Sequence, residues 1–372
     1  MKKRRWSMGF LALAMAIALC ACGGKGDDSI SDSSEPEEPD ISAFAPVEPE
    51  PEPVYPYANP LTGEGLDVDI SGKRPVAVMF NNLRKALPQI GVSQADVIYE
   101  IVAEGGITRM MGVFQDLEGV GELGSIRSAR DYYVNLALGH DAIYIHAGGS
   151  PQAYSAFDSW GVTHLDFVNG PYDSMYWRDP DRRKAAGLEH SLLTSGERVL
   201  EQMPSRFRLD HEEGYEVGWS FDKEAPAGGQ RADKLTVPFS NYKTGYFTYD
   251  AEQNQYQIEQ HIDGNDIPYV DGAADAAVTV SNVLVLYTDV SQIRGDESGR
   301  MEVRTTGTGD GLLLRDGMLY QITWQRDART DNYSFLDQQG GKIPLAIGPS
   351  YINVVRASAD ITWEEDSKQP LL

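Results

Sequence analysis

Three short stretches carry residue types suited to chemistry. The first, Ile143-Tyr-Ile-His-Ala-Gly-Gly-Ser-Pro151, reads as a strand running through a glycine turn into a helix capped by Ser150, with proline at its first position. In an open α/β sheet, ligands gather beyond the carboxyl ends of strands, and the free N–H groups of a helix start suit an anion. His146, Gly148, Gly149 and Ser150 are therefore candidate ligand-binding residues. The plain alternative is a tight turn with His146 bonded to backbone. The second stretch is Arg127-Ser-Ala-Arg130, where Ser128 is placed to cap a helix. That helix would carry both guanidiniums on one face, able to fork onto a carboxylate or phosphate. Internal pairing with Glu100, Glu104 or Asp131 competes with this reading. The third is Glu104-Gly-Gly-Ile-Thr-Arg109, an acid and a base at a loop tip. His190 precedes a helix with a Thr194/Glu197 capping box, and could join His146 as an acid/base pair near neutral pH or serve only in packing.

Other enzyme signatures are missing. The sequence holds no phosphate-loop lysine, no Gly-x-Ser-x-Gly elbow and no His-Glu-x-x-His. No cofactor is expected, and His140 and His146, six residues apart, do not give a metal-ligand spacing. With 32 Lys and Arg against 56 Asp and Glu, the formal charge is −24, so nucleic acid is not an expected partner.

The elements that must position these residues alternate between strand-like and helix-like over 73–203, which predicts an α/β domain with a mixed sheet. Pro75-Val-Ala-Val-Met-Phe80 reads as a strand. Val97–Ala103 and Ile107–Gln115 flank Gly105-Gly106 as a β-hairpin would, with a helix over Ser93–Ala103 as the competing reading. A connecting segment, 204–234, leads to short alternating runs over 235–363, which predict a smaller antiparallel β-rich domain. There Gly309-Asp-Gly311, Asp316-Gly317 and Gly340-Gly341 read as hairpin turns. The expected fold class is α+β. The aromatics Tyr246, Phe247, Tyr249, Trp324 and Trp363 fit core and rim rather than a sugar-stacking platform.

The N-terminus has the layout of a secretory signal over 1–21, with Lys2, Lys3, Arg4 and Arg5 ahead of an apolar run from Met8 to Leu19. Twelve residues are too few to span a bilayer. Leu19-Cys-Ala-Cys-Gly23 resembles a bacterial lipobox, which makes Cys22 the expected lipidation site; an ordinary cleaved signal peptide is the alternative. Residues 23–53 then hold ten acidic residues, one lysine, six prolines, five serines and a single aromatic, Phe44, the composition of an extended acidic tether. The signal carries +4 and the tether −9, leaving −19 on residues 54–372.

Five ordered strings carry a resemblance. They are Pro75-Val-Ala-Val-Met-Phe-Asn-Asn82, Ala95-Asp-Val-Ile-Tyr-Glu100, Glu104-Gly-Gly-Ile-Thr-Arg109, Ile126-Arg-Ser-Ala-Arg130 and Ala142-Ile-Tyr-Ile-His-Ala-Gly-Gly-Ser-Pro151. Through them the chain resembles the YerB-like lipoprotein family of bacteria, which pairs N- and C-terminal domains of unknown function. Where the family pattern favours a histidine, this chain carries Tyr269. The resemblance implies a surface lipoprotein held on the extracytoplasmic face of the cell membrane by its lipid anchor, and supplies no substrate. The expected role is a binding or scaffolding module of the cell envelope, whose anion-receptive cleft meets a wall component or a wall-synthesis protein. The alternative is a wall hydrolase or transferase using His146 or His190 with Glu104 and Arg127/Arg130.

Overall fold

The computed structural model describes residues 53–365; the signal segment, Cys22 and the tether up to residue 52 lie outside the described residues. Its first long strand, β1 (Val76–Asn81), is buried throughout, and its alternate side chains enter two different cores. Val76, Val78 and Phe80 face one core, and Ala77 and Met79 face the other. This period of two is what a strand covered on both faces requires.

The predicted hairpin is present. β2 (Val97–Val102) and β3 (Thr108–Phe114) pair antiparallel, with Tyr99 opposite Met111. Gly105 (φ 64°) and Gly106 (φ 80°) turn the chain between them, in a region of backbone space that favours glycine. α1 (Asp131–Gly139) and β4 (Ile143–His146) follow, then α2 (Pro151–Trp160) and β5 (His164–Asp166). α3 (Pro180–Ala186), β6 (Leu192–Ser195) and α4 (Gly196–Gln202) complete this portion.

The second portion begins with β7 (Lys234–Pro238), β8 (Lys243–Asp250) and β9 (Gln255–Ile262), which form the centre of a six-stranded antiparallel sheet. β10 (Asn282–Thr288), β11 (Gly307–Arg315), β12 (Met318–Arg326) and β13 (Ser350–Arg356) instead enter an eleven-stranded sheet. In that sheet the order runs β12-β11-β10-β13-β2-β3-β1-β4-β5. β13 is parallel to both β10 and β2, aligning Ile352 with Leu284 and with Tyr99. The fold is α+β. Helices α1 and α2 cover one face of the long sheet through Tyr133, Leu136, Ala153 and Phe157. The six-stranded sheet contributes Leu235, Phe247 and Ile258 to the core on the other face. Each such side chain, fully buried, contributes about 1.5–3 kcal/mol.

A buried ionic pair ties the two sheets together. Lys243 Nζ on β8 lies 2.9 Å from Glu100 Oε1 on β2, with both side chains 1% exposed. Asn82 Nδ2 and the hydroxyls of Thr108 and Tyr351 also donate to Glu100, and Lys243 donates to Gln260 Oε1 at 2.9 Å. Burial pushes the Lys243 ammonium below its ordinary value, while Glu100 holds it up. Tyr269 is buried nearby, donating to Gln89 Oε1, and Asp271 accepts from the Gly91 and Ser93 amides.

Several local expectations are corrected. Gly309-Asp-Gly311 is not a turn but the interior of β11. A Cβ on Gly309 would sit 2.7 Å from the Trp324 indole nitrogen, and one on Gly311 would sit 2.8 Å from the Val285 carbonyl oxygen. These glycines permit cross-strand packing. The turn joining β11 to β12 is Asp316-Gly317, with φ of 52° and 70°, as expected. Ser128 does not cap α1, because Ala129 is engaged as an extended bridge to Gly149. The helix starts after Arg130, which supplies no side-chain cap. The N-cap of α4 is Ser195, one residue past the expected Thr194, and Arg198 stands where a capping box needs Glu or Gln. Ser195 Oγ accepts from the Arg198 amide, while Thr194 belongs to β6 and donates to the Met175 carbonyl.

Candidate anion-binding site

Arg109 stands on β3 opposite Asn81, near the end of the hairpin. Arg127 and Arg130 lie in the extended segment ahead of α1, so the expectation that one helical face carries them is corrected. That segment is held by backbone: the Ala147 amide donates to the Arg127 carbonyl at 3.0 Å, and the Ala129 amide to the Gly148 carbonyl at 2.9 Å. Bridge pairing with the glycine turn, rather than helix geometry, sets where the two guanidiniums stand.

The carboxylate of Glu104 meets Arg130 Nε and lies 3.6 Å from the Arg109 guanidinium. Burial raises the Glu104 pKa, but the hydrogen bond and charge of Arg130, with help from Arg109, outweigh it and keep the carboxyl below its ordinary value. Arg127 pairs with Glu189 at 2.9 Å, a carboxylate whose side chain is 68% exposed. Burial, then the charges of Arg130 and Arg127, press the Arg109 pKa down to about 10. Three guanidiniums thus share two acidic partners, one of them mostly in water.

Two donors in this cluster have no partner among the described residues. The Nε atoms of Arg109 and Arg127 are both buried and make no hydrogen bond. An unpaired buried donor costs about 1–3 kcal/mol, a cost that an oxygen acceptor in reach would remove. His190 adjoins the cluster: its Nδ1 accepts from Asn81 Nδ2 at 2.9 Å, and burial, with Arg127 beside it, lowers its pKa. It is a neutral imidazole with Nε2 carrying the proton.

His146 stands elsewhere. Its Nδ1 lies 2.8 Å from the Gly148 carbonyl, which can only accept, so Nδ1 is protonated and Nε2 accepts from His164 Nδ1 at 2.9 Å. Burial lowers its pKa to about 4, against the pull of Asp166. Both ring nitrogens are occupied and the residue is fully buried. The structure therefore brings Glu104, Arg109, Arg127, Arg130 and His190 together and leaves the His146 ring out. Gly148 and Gly149 contribute backbone to the segment behind the arginines, and Ser150 caps α2, its Oγ accepting from the Ala153 amide at 3.1 Å.

Sequence reasoning missed Glu189 as the partner of Arg127, and missed His164 and Asp166. The period of two along Thr163-His-Leu-Asp166 places His164 and Asp166 on one side of a short strand, which was the available signal. Among the described residues, no group of three or more His, Cys, Asp or Glu could hold a metal ion, and no helix is long and apolar enough to cross a membrane.

Two family models match this chain: the N-terminal domain of a protein of unknown function (DUF3048) over residues 61–212, and the corresponding C-terminal domain over 235–352. The chain belongs to this family. The Bacillus subtilis (strain 168) protein named "Putative lipoprotein YerB" is 29% identical over 300 residues, covering 80% of this chain and 85% of its own length. The crystal structure of the YerB protein from Bacillus subtilis superposes with a TM-score of 0.69 at 26% identity, covering 82% of this chain and 99% of that one. Paired N- and C-terminal DUF3048 domains are what the sequence strings pointed to.

Proposed function

We propose that this DUF3048 protein is a binding module of the bacterial cell envelope, held at the extracytoplasmic face of the membrane through Cys22. In this reading the arginine cluster grips an anionic group, a carboxylate or phosphate, on a wall component or a wall-synthesis protein. The anchor reading rests on the lipobox-like Leu19-Cys-Ala-Cys-Gly23, on the acidic tether, and on the name of the Bacillus subtilis relative. The observation that carries the binding reading is the pair of unpartnered buried donors, Arg109 Nε and Arg127 Nε, in a chain of net charge −24.

A charged fork desolvated in this way prefers a bidentate oxyanion to water. Catalysis by His146 gains no support, since that ring has both nitrogens engaged, and Glu104 is committed to two arginines. The test is co-sedimentation of the purified full chain with cell-wall sacculi, alongside Arg127→Ala, with mass spectrometry of the muropeptides. Binding by the native chain that is lost in the variant, with unaltered muropeptides, supports the module. Undiminished binding by the variant, or new muropeptide products, overturns it.

A further inference from the structure

A cleft that shares no lining residue with the arginine cluster runs beside Tyr154 and Phe157 of α2. It measures about 510 Å³ and is lined by Tyr154, Phe157, His164, Asn169, Tyr172 and Arg206 among others. We infer that this cleft binds a carboxylate-bearing saccharide, with His164 accepting from a sugar hydroxyl and Arg206 pairing with the carboxylate.

The hydrogen-bond chain fixes the chemistry His164 offers. The Gly148 carbonyl forces the proton onto His146 Nδ1, which leaves His146 Nε2 as an acceptor and places the His164 proton on Nδ1. His164 Nε2 is then an acceptor with no donor among the described residues, on a ring that lines the cleft. The ring cannot swing away, because it stacks on Phe157 with centroids 3.9 Å apart and planes within 8°. Asp166 does not compete for the ligand: it already accepts from Tyr154 Oη at 2.6 Å, from Asn169 Nδ2 at 3.0 Å and from the Gly148 amide at 2.9 Å. It therefore serves to lock Tyr154 and Asn169 in place.

Arg206 supplies the charge. Among the described residues its only side-chain hydrogen bond is to Tyr172 Oη at 3.1 Å, and no carboxylate pairs with it. Its guanidinium lies over the Phe207 ring, 5.0 Å from the centroid, and Phe207 also lines the cleft. Half-buried aromatic faces at Tyr172 and Phe207 suit the C–H face of a sugar ring, and the volume falls within the range of small-ligand sites. A free phosphate would satisfy Arg206 but give the aromatic rings nothing to pack against.

The test is histidine-labelled NMR on the full chain, titrated with N-acetylmuramic acid and, separately, with N-acetylglucosamine, which lacks the carboxylate. The His164 ring signal, assigned with His164→Gln, is expected to shift with the acidic sugar, and Arg206→Ala, at an exposed residue, to weaken that binding about tenfold or more, as loss of a hydrogen bond to a charged group does. Arg127→Ala should leave the response intact, which separates this site from the arginine cluster. No shift at His164, or equal response to both sugars with no effect of Arg206→Ala, overturns the assignment.

Discussion

In the proposed reading Glu104 is an internal stand-in for the anion, so Glu104→Gln should move stability and anion affinity in opposite directions. A unit pair 3.6 Å apart, the Arg109 separation, attracts by about 4.6 kcal/mol at an effective dielectric of about 20. Most of that is offset by desolvation, so a net loss of about 2 kcal/mol is expected for this partly exposed group. The amide keeps the shape of Glu104 but leaves Arg109, Arg127 and Arg130 with Glu189 as their acidic partner. Added phosphate then binds without displacing or opposing a carboxylate, and a gain of about 1.4 kcal/mol corresponds to tenfold tighter binding. The assay is thermal unfolding of the native chain and the variant across a phosphate titration, with chloride at matched ionic strength as control. Because a ligand of the folded state stabilises by mass action, the variant should start lower and recover further. A variant that is destabilised yet gains no more from phosphate than the native chain refutes the reasoning.

Lys243→Met strands a buried carboxylate and should cost about 3–5 kcal/mol in urea unfolding, most of it restored by adding Glu100→Gln. His146 has a folded pKa of about 4 against 6.5 for an unfolded histidine, so the unfolded chain binds the proton first as pH falls. Its contribution to stability is full above about pH 6.5 and declines toward pH 4. About 2 kcal/mol should vanish between pH 7 and pH 5, a portion of the slope that His146→Gln removes. Gly309→Val would press its Cβ onto the Trp324 indole, costing about 1–3 kcal/mol by denaturant midpoint and shifting tryptophan fluorescence.

The hairpin of β2 and β3 was legible because β-branched residues flank two glycines that the turn requires. The start of α2 was legible because Ser150-Pro151 is a strong local signal. Where glycine served packing rather than turning, as at Gly309 and Gly311, the same residue type misled, since a missing Cβ has two uses and only the partner strand decides between them. Ser128 and Thr194 misled for a related reason: both hydroxyls had local capping positions, but bridge and strand pairing with distant segments held their backbones extended. The placement of β13 between β10 and β2 joins segments some 250 residues apart, and no local pattern encodes such a pairing. At the site, the residue types were visible and their grouping was not. Arg109, Arg127 and Arg130 meet through the hairpin end and the bridge to Gly149, while His146, five residues from Pro151, turns into the core because its strand pairs in parallel with β5.

In the proposed binding reading, the unpartnered donors of Arg109 and Arg127 await an oxyanion. Nitrogen-detected NMR of the arginine Nε–H groups in the full chain, with and without inorganic phosphate, addresses it directly. Two of these signals, those lost in Arg109→Lys and Arg127→Lys, should shift and gain protection from solvent exchange when phosphate is added. If both stay unmoved at phosphate concentrations that stabilise the fold, the cluster is a structural ion-pair network and the account is wrong.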